Sequence, residues 1–310
     1  VIIHEGKLVA ESYRDGFGAE TKQISWSMAK SVTSALVGRA VALGLIEDID
    51  AAMPTPFDAG DPRAEITWRQ WLTMTDGLDY TEIGATSMAD NDVIQMMYGP
   101  GRFDVLDYIK DELPPLHEPG TVWNYSTAGF HLIGHALWRI ERQARAAAFR
   151  EGEQFIDNNP KHDTNIMASW MNDNFFFHIG MDALVEFDSS GTYLGGSLVW
   201  ASARDFAKFG YLYLRDGVWD GERLLPEGWV DFARTKTPAD NSNVYGAGWW
   251  ITAYGAPLTH AQNATTPPWD AFHAGGHEGQ IIWVVPSRDL VIVHLGLMEN
   301  TDENWSALYE

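Results

Sequence analysis

The chain has 310 residues, 45% of them hydrophobic and 21% charged, with a formal net charge of −22 and no cysteine. That length suits one large domain or two interleaved ones with a substantial core. A surface that negative repels phosphate backbones and argues against nucleic-acid partners, while the missing cysteine excludes disulfides, thiolate metal sites and thiol nucleophiles.

The predicted elements begin at once. "VIIHEGKLVAESY" is two β-rich runs around Glu5-Gly6-Lys7, a hairpin signal. Because Val1 already lies in strand-like sequence, a preceding piece with or without a signal peptide is expected. Periplasm and cytoplasm therefore both stay open. Residues 27–44 carry helical apolar spacing at Met28, Val32, Ala35, Leu36 and Val37, with Gly44 as the stop. "EDIDAAMPTPFDAGDPRAE" reads as loop, and "ITWRQWLTMTDGLDY" as a short helix ending in a glycine turn. Residues 90–112 and 126–147 are predicted helical, and "REGEQFIDNNPKHDTN" is predicted to be a surface loop or insertion. "SARDFAKFGYLYLRDG" is an amphipathic helix with Ser202 as N-cap. Strands return in "YGAGWWI", "GQIIWVVP" and "LVIVHLG".

Strands at both ends must share a sheet, since each run alone leaves its edges unpaired. The expected fold is α/β: an antiparallel sheet from both chain ends flanked by helices, with an inserted, mostly helical subdomain. The expected division is 1–44 with 190–310 for the α/β part and 45–189 for the helical part. No run approaches the ~18 apolar residues of a membrane span. The 14 tryptophans suit either a wide aromatic-walled cleft or a large core.

The chemistry is concentrated at "SWSMAKSV". Ser27 and Lys30 stand three apart, so they share a helix face. Serine is a weak nucleophile that needs a base. An amine buried at a helix N-terminus serves as one because desolvation and the helix dipole lower its pKa. The same N-terminus offers N–H groups to an oxyanion. Taken alone, the pair also fits a capping serine and a snorkelling lysine. Two later stretches strengthen the chemical reading. "HEPGTVWNYSTAG" sets Tyr125 after a Pro-Gly turn at a helix start, where a phenol can relay a proton. "FHAGGHEGQ" sets His273 and a glycine cluster before an apolar strand, where a substrate can lie along the strand edge.

The order S-M-A-K, Y-S-T, H-A-G resembles the serine β-lactamase and penicillin-binding-protein superfamily, whose elements read S-x-x-K, Y-x-N and K-T-G. It is most similar to the branch around class C β-lactamases, family VIII carboxylesterases and 6-aminohexanoate-dimer hydrolase. "ITWRQWLTMTDGLDY", "HEPGTVWNYS" and "LGGSLVWASARDFAKFGYLYLRDGVWDGERLLPEGWV" add to the likeness, which is weakest over residues 148–180. The resemblance implies a β-lactamase/transpeptidase-like fold and a serine hydrolase that needs no cofactor. Its substrate would be a small-molecule ester or amide, taken through an acyl-enzyme. Ser27 would be the nucleophile, Lys30 its base and Tyr125 the proton relay. One oxyanion donor would be the Ser27 N–H, the other Gly276 or His277. Thr127 replaces the asparagine of Y-x-N, and His273 the lysine of K-T-G. Both departures remove groups that hold a β-lactam, and H-x-G is usual among the esterase-like members. β-Lactamase, D-aminopeptidase or DD-peptidase activity is the alternative within enzymes, and a non-catalytic β-lactam- or cell-wall-sensing protein the alternative outside them. Nothing in the sequence sets the oligomeric state.

Four other groups read as structural. H-A-G-G-H-E fails the helical zinc-protease pattern and is given no metal. His131 and His135 read as a packing or surface pair, and Gly195-Gly196 as backbone geometry. Asp76 and Glu82 lie beside a glycine turn and could touch the cleft, with solvated loop charge the favoured reading.

Overall fold

The computed structural model describes residues 1–148, 164–242, 244–251 and 270–297. The N-terminal hairpin joins β1 (Ile2–His4) to β2 (Lys7–Ala10), pairing His4 with Lys7. Glu5 (φ 48°) and Gly6 (φ 73°) are both left-handed, as the two central residues of a tight type I′ hairpin turn require. After β3 (Gln23–Ile24), a tight turn over Trp26–Met28 leads into α1 (Ala29–Ala42). Every residue of α1 up to Ala40 is buried. A helix covered on all sides can be apolar all round, which explains why this one has small and aliphatic residues on each face.

The middle of the chain is helical. α2 (Trp68–Leu72) starts with a capping box, in which Thr67 caps Gln70 and the Gln70 side chain returns to Thr67. The helix expected over 90–112 is two helices, α3 (Asp92–Met97) and α4 (Val105–Glu112). Gly99-Pro100-Gly101 separates them, because proline cannot donate the amide that a continuous helix needs. α5 (Thr127–Ala148) follows, then α6 (Thr164–Met171). The loop expected over 150–165 falls almost wholly outside the described residues.

A small sheet is built next. β4 (Leu184–Val185) and β3 both pair with β5 (Val199–Ala201). α7 (Ala203–Leu214) is capped by Ser202, which accepts from the Asp205 N–H. β6 (Val218–Trp219) and β7 (Glu222–Arg223) form a short hairpin before α8 (Trp229–Ala233). Then come β8 (Trp250–Ile251), β9 (Phe272–Gly276), β10 (Gln280–Val285) and β11 (Leu290–His294).

The main sheet has six strands in the order β2-β1-β11-β10-β9-β8, and every neighbouring pair is antiparallel. Both chain ends supply it, since β1 lies against β11 with Ile2 opposite Ile292. Ile282 and Val284 of β10 and Val291 of β11 face α7, where Gly210 allows close approach. A Cβ on Gly210 would stand 2.7 Å from both Ile282 and Val291. Burying these aliphatic side chains against the helix is worth roughly 1.5–3 kcal/mol each. The sheet and helix layers thereby fix the start of α1, the start of α5 and the end of β9 in one place.

Candidate active site

The turn before α1 is held rigidly. Ser25 is fully buried; its N–H donates to Val199 O at 2.8 Å, and its Oγ accepts from the Val199 N–H at 3.1 Å. Trp26 then takes φ 45°, a left-handed conformation that is costly for a bulky residue and persists only where its surroundings over-determine it. Ser27 follows, half-buried, and opens onto a cleft of about 760 Å³. Its walls come from Trp26, Tyr125, Trp250 and the end of β9, and from Val93, Ile94 and Met97 of α3.

Lys30 is completely enclosed, and its Nζ has three partners. It lies 3.0 Å from Ser27 Oγ, 2.8 Å from Thr127 Oγ1 and 2.7 Å from Gly196 O. Burial lowers its pKa to about 8, against an opposing pull from the Glu82 carboxylate. Nζ also sits 4.8 Å above the Tyr125 ring. Tyr125 is buried, stacked on Trp250 at 5.3 Å and set edge-on to Tyr245 at 5.9 Å. Burial, and then the charge of Glu82, push its phenol far above the ordinary tyrosine range, opposed by a hydrogen bond with Ser27. Tyr125 is therefore a neutral phenol at pH 7, and Lys30 is the group beside Ser27 that can release its proton near neutrality.

Of the remaining predicted residues, Gly276, His277 and His273 line this cleft, and Thr127 lies behind it. Gly276 ends β9 against the Ser25–Trp26 turn, where a Cβ would stand 2.3 Å from Ser25 O. His277 is exposed and meets Trp26 edge-on at 5.7 Å. His273 lies between Trp250 and Trp283, with ring centroids at 6.3 and 4.3 Å, and its Nδ1 is buried without a hydrogen-bond partner among the described residues. Burial lowers its pKa to about 3, so the ring at the expected lysine position carries no charge at neutral pH. Thr127 is fully buried and binds Lys30 directly.

Two readings need correction. Asp76 is not a solvated loop charge: it is 5% exposed, accepts from the Leu78 N–H at 3.0 Å, and burial raises its pKa to about 6. Nor is Glu82, which lines the cleft and accepts from Thr127 N (3.0 Å), Thr127 Oγ1 (3.0 Å) and the Tyr80 hydroxyl (2.9 Å). Gly196 also does more than shape the backbone, since its carbonyl binds Lys30 and its N–H donates to His131 Nδ1 at 3.3 Å. His131 is fully buried, and burial together with the Lys30 charge lowers its pKa to about 3. Sequence reasoning missed Gly196 as a member of the site and ranked cleft contact for Glu82 below a solvated loop charge. The signal for Glu82 was its place two residues after an aromatic, in a glycine turn whose charges looked free.

The sheet-and-helix frame thus brings together a serine bonded to a buried lysine, an enclosed tyrosine and a glycine-rich strand end. The chain belongs to the β-lactamase family, whose model matches residues 1–301. It is 22% identical to the 6-aminohexanoate-dimer hydrolase of Paenarthrobacter ureafaciens, over 99% of this chain and 74% of that protein. Among solved structures, a Bacillus anthracis protein provisionally described as a 6-aminohexanoate-dimer hydrolase superposes with a TM-score of 0.70. It is 21% identical and is matched over 99% of this chain and 76% of its own. A Mycobacterium bovis β-lactamase gives 0.61 at 18% identity, over 99% and 89% of the two chains. At these identities the structures speak for the fold, which is that of the β-lactamase and penicillin-binding-protein group.

Proposed function

We propose that this protein is a serine hydrolase that cleaves a carboxylic ester or small amide through an acyl-enzyme on Ser27. The observation that carries this reading is the 3.0 Å contact between Ser27 Oγ and a lysine whose pKa is lowered to about 8. Neutral Lys30 takes the Ser27 proton as Oγ attacks the substrate carbonyl. The oxyanion is held by the Ser27 N–H and by an N–H at the end of β9, from Gly276 or His277. Collapse breaks the bond to the alkoxide or amine, which takes the phenolic proton of Tyr125. The Lys30 ammonium then reprotonates Tyr125. Water repeats the sequence on the acyl-enzyme and regenerates Ser27.

The cleft walls bear on substrate class. Among its described lining residues are Glu82, His273 and His277 but no arginine or lysine. With His273 uncharged, the described walls set no arginine or lysine against a substrate carboxylate, and Glu82 repels one. Neutral or amine-bearing apolar esters and amides fit better than penicillins, whose carboxylate must be anchored. The 6-aminohexanoate-dimer hydrolase relative agrees with an amide as the bond cleaved and not with the exclusion of a carboxylate, since a dimer of 6-aminohexanoate ends in one.

The experiment is labelling with a fluorophosphonate, combined with turnover of nitrophenyl esters, a linear amide dimer, a D-amino-acid amide and a chromogenic cephalosporin. Wild type should label at Ser27, and Ser27→Ala should neither label nor turn over, with a loss on the order of 10⁴–10⁶ in rate. A Ser27→Ala protein that kept a tenth of wild-type activity would refute the mechanism. An unlabelled, inactive wild type would point to a binding protein.

A further inference from the structure

We propose that Glu82 is a positioning residue that acts through Thr127 to aim the lone pair of Lys30 at Ser27. The inference rests on the reading of Lys30 as the base for Ser27.

A neutral amine has two N–H hydrogens and one lone pair. Lys30 Nζ has three close partners to share them among: Gly196 O, Thr127 Oγ1 and Ser27 Oγ. The Gly196 carbonyl can only accept, so it takes one hydrogen. The other hydrogen and the lone pair are divided between Thr127 and Ser27, and the division decides whether Lys30 can act. If Thr127 donates its hydroxyl hydrogen to Nζ, the lone pair is used there and an N–H points at Ser27, which then cannot lose its proton. If Thr127 accepts, the lone pair faces the Ser27 hydroxyl.

Glu82 selects the second arrangement. An ionised carboxylate only accepts. Its Oε1 stands 3.0 Å from Thr127 Oγ1 and takes the single hydroxyl hydrogen, which leaves Thr127 able only to accept from Lys30. The carboxylate is itself fixed by two further donors, the Thr127 N–H at 3.0 Å and the Tyr80 hydroxyl at 2.9 Å. Thr127 and Glu82 together thus present one acceptor to the lysine, the role an asparagine side-chain oxygen could fill alone. Thr127 would be ambiguous without Glu82.

A glutamine at position 82 should reverse the arrangement. Its oxygen would have to face the donors Thr127 N–H and Tyr80 hydroxyl, so its NH₂ would face Thr127 Oγ1 and donate. The threonine hydrogen would then turn toward Lys30. Glu82 also adds its charge to the surroundings of Lys30. Among the described residues, the ionisable groups facing that amine are Glu82 from its loop, Tyr125 ahead of α5 and His131 on α5. Tyr125 and His131 are neutral at pH 7, so among these Glu82 supplies the charge. Removing it should let the Lys30 pKa fall further.

The test compares Glu82→Gln, Glu82→Asp, Thr127→Val, Thr127→Ser and the Glu82→Gln/Thr127→Val double variant. The readouts are kcat and KM on the best nitrophenyl ester across pH, fluorophosphonate labelling and melting temperature. Glu82→Gln should lower plateau kcat at least tenfold with KM changed less than threefold, and should move the acid limb of kcat/KM to lower pH. Thr127→Ser and Glu82→Asp should retain more kcat than Thr127→Val and Glu82→Gln respectively. The double variant should be no worse than Thr127→Val. If Glu82→Gln does not fold, the Asp variant and the Thr127 pair carry the comparison. Three results would overturn the inference while leaving Ser27 labelling intact. They are a Glu82→Gln kcat within twofold of wild type with an unmoved limb, a rise confined to KM, or fully additive losses in the double variant. A wild type that does not label at Ser27 would overturn the mechanism and this inference together.

Discussion

The base assigned to Lys30 has a consequence that can be read in a pH profile. A Lys30 pKa of about 8 sets the neutral fraction at about a tenth at pH 7, a half at pH 8 and nine-tenths at pH 9. Acylation, which needs the neutral amine, should therefore rise about tenfold from pH 7 to 9, with its midpoint between about 7 and 9. The perturbation that isolates this effect is Lys30→Arg. An arginine keeps the cation and the donors but stays protonated throughout this range. An unperturbed lysine at 10.5 would be neutral about 300-fold less often at pH 7, so burial, net of the opposing pull of Glu82, accounts for ~3 kcal/mol of base readiness. Arginine forfeits all of that and more, and the loss should be at least 10³-fold. The assay is the second-order rate of fluorophosphonate labelling from pH 6 to 10, which reads acylation without deacylation. A flat profile between pH 6.5 and 9, or Lys30→Arg labelling within tenfold of wild type, would refute the assignment.

Other outcomes follow from the same geometry. Tyr125→Phe and Lys30→Ala should each cost at least 10²-fold in kcat/KM, and the double variant should be little worse than the worse single, since the two groups pass one proton; steady-state kinetics of all three checks this. Thr127→Asn with His273→Lys should raise the rate of acylation by a fluorescent penicillin about tenfold or more relative to a nitrophenyl ester, because it restores a cation where an uncharged ring now lies; stopped-flow acylation measures the ratio. Asp76 has a folded pKa raised to about 6 from 3.8, so the stability it supports is fully present below pH ~4 and is lost as pH rises through 6. Asp76→Asn should therefore gain on wild type by roughly 2–3 kcal/mol between pH 4 and 7.5, read by denaturant unfolding at the two pH values.

The outline of the fold was legible because its causes are local or combinatorial. Alternation and turn residues marked β1, β2, β10 and β11, and unpaired edges required the two chain ends to meet. The error at 90–112 is equally physical: apolar spacing continues across Pro100, but the missing amide does not allow the helix to. Strand partners such as β3, β4 and β5 were not foreseen. These are two- or three-residue segments that are strands only because they find each other, and no window of sequence that short has a period to detect.

The site divides along the same line. Ser27 and Lys30 were visible because a helix fixes residues three apart on one face, so spacing alone implies contact. Tyr125 was visible through a turn-then-helix motif and a family pattern. Glu82 was visible only as a residue that could touch the cleft; its role was not, because that depends on a contact 45 residues away with Thr127, and an acidic residue in a glycine turn is ordinarily solvated. Yet the clue was present in the departure at Thr127. An asparagine offers a fixed carbonyl oxygen to a neighbouring lysine, whereas a threonine hydroxyl can either give or take. A buried threonine in that position therefore calls for some other group to settle its direction. The group must be an acceptor with no hydrogen of its own, close enough to reach both the hydroxyl and the backbone N–H of one residue. In this cleft Glu82 meets that description.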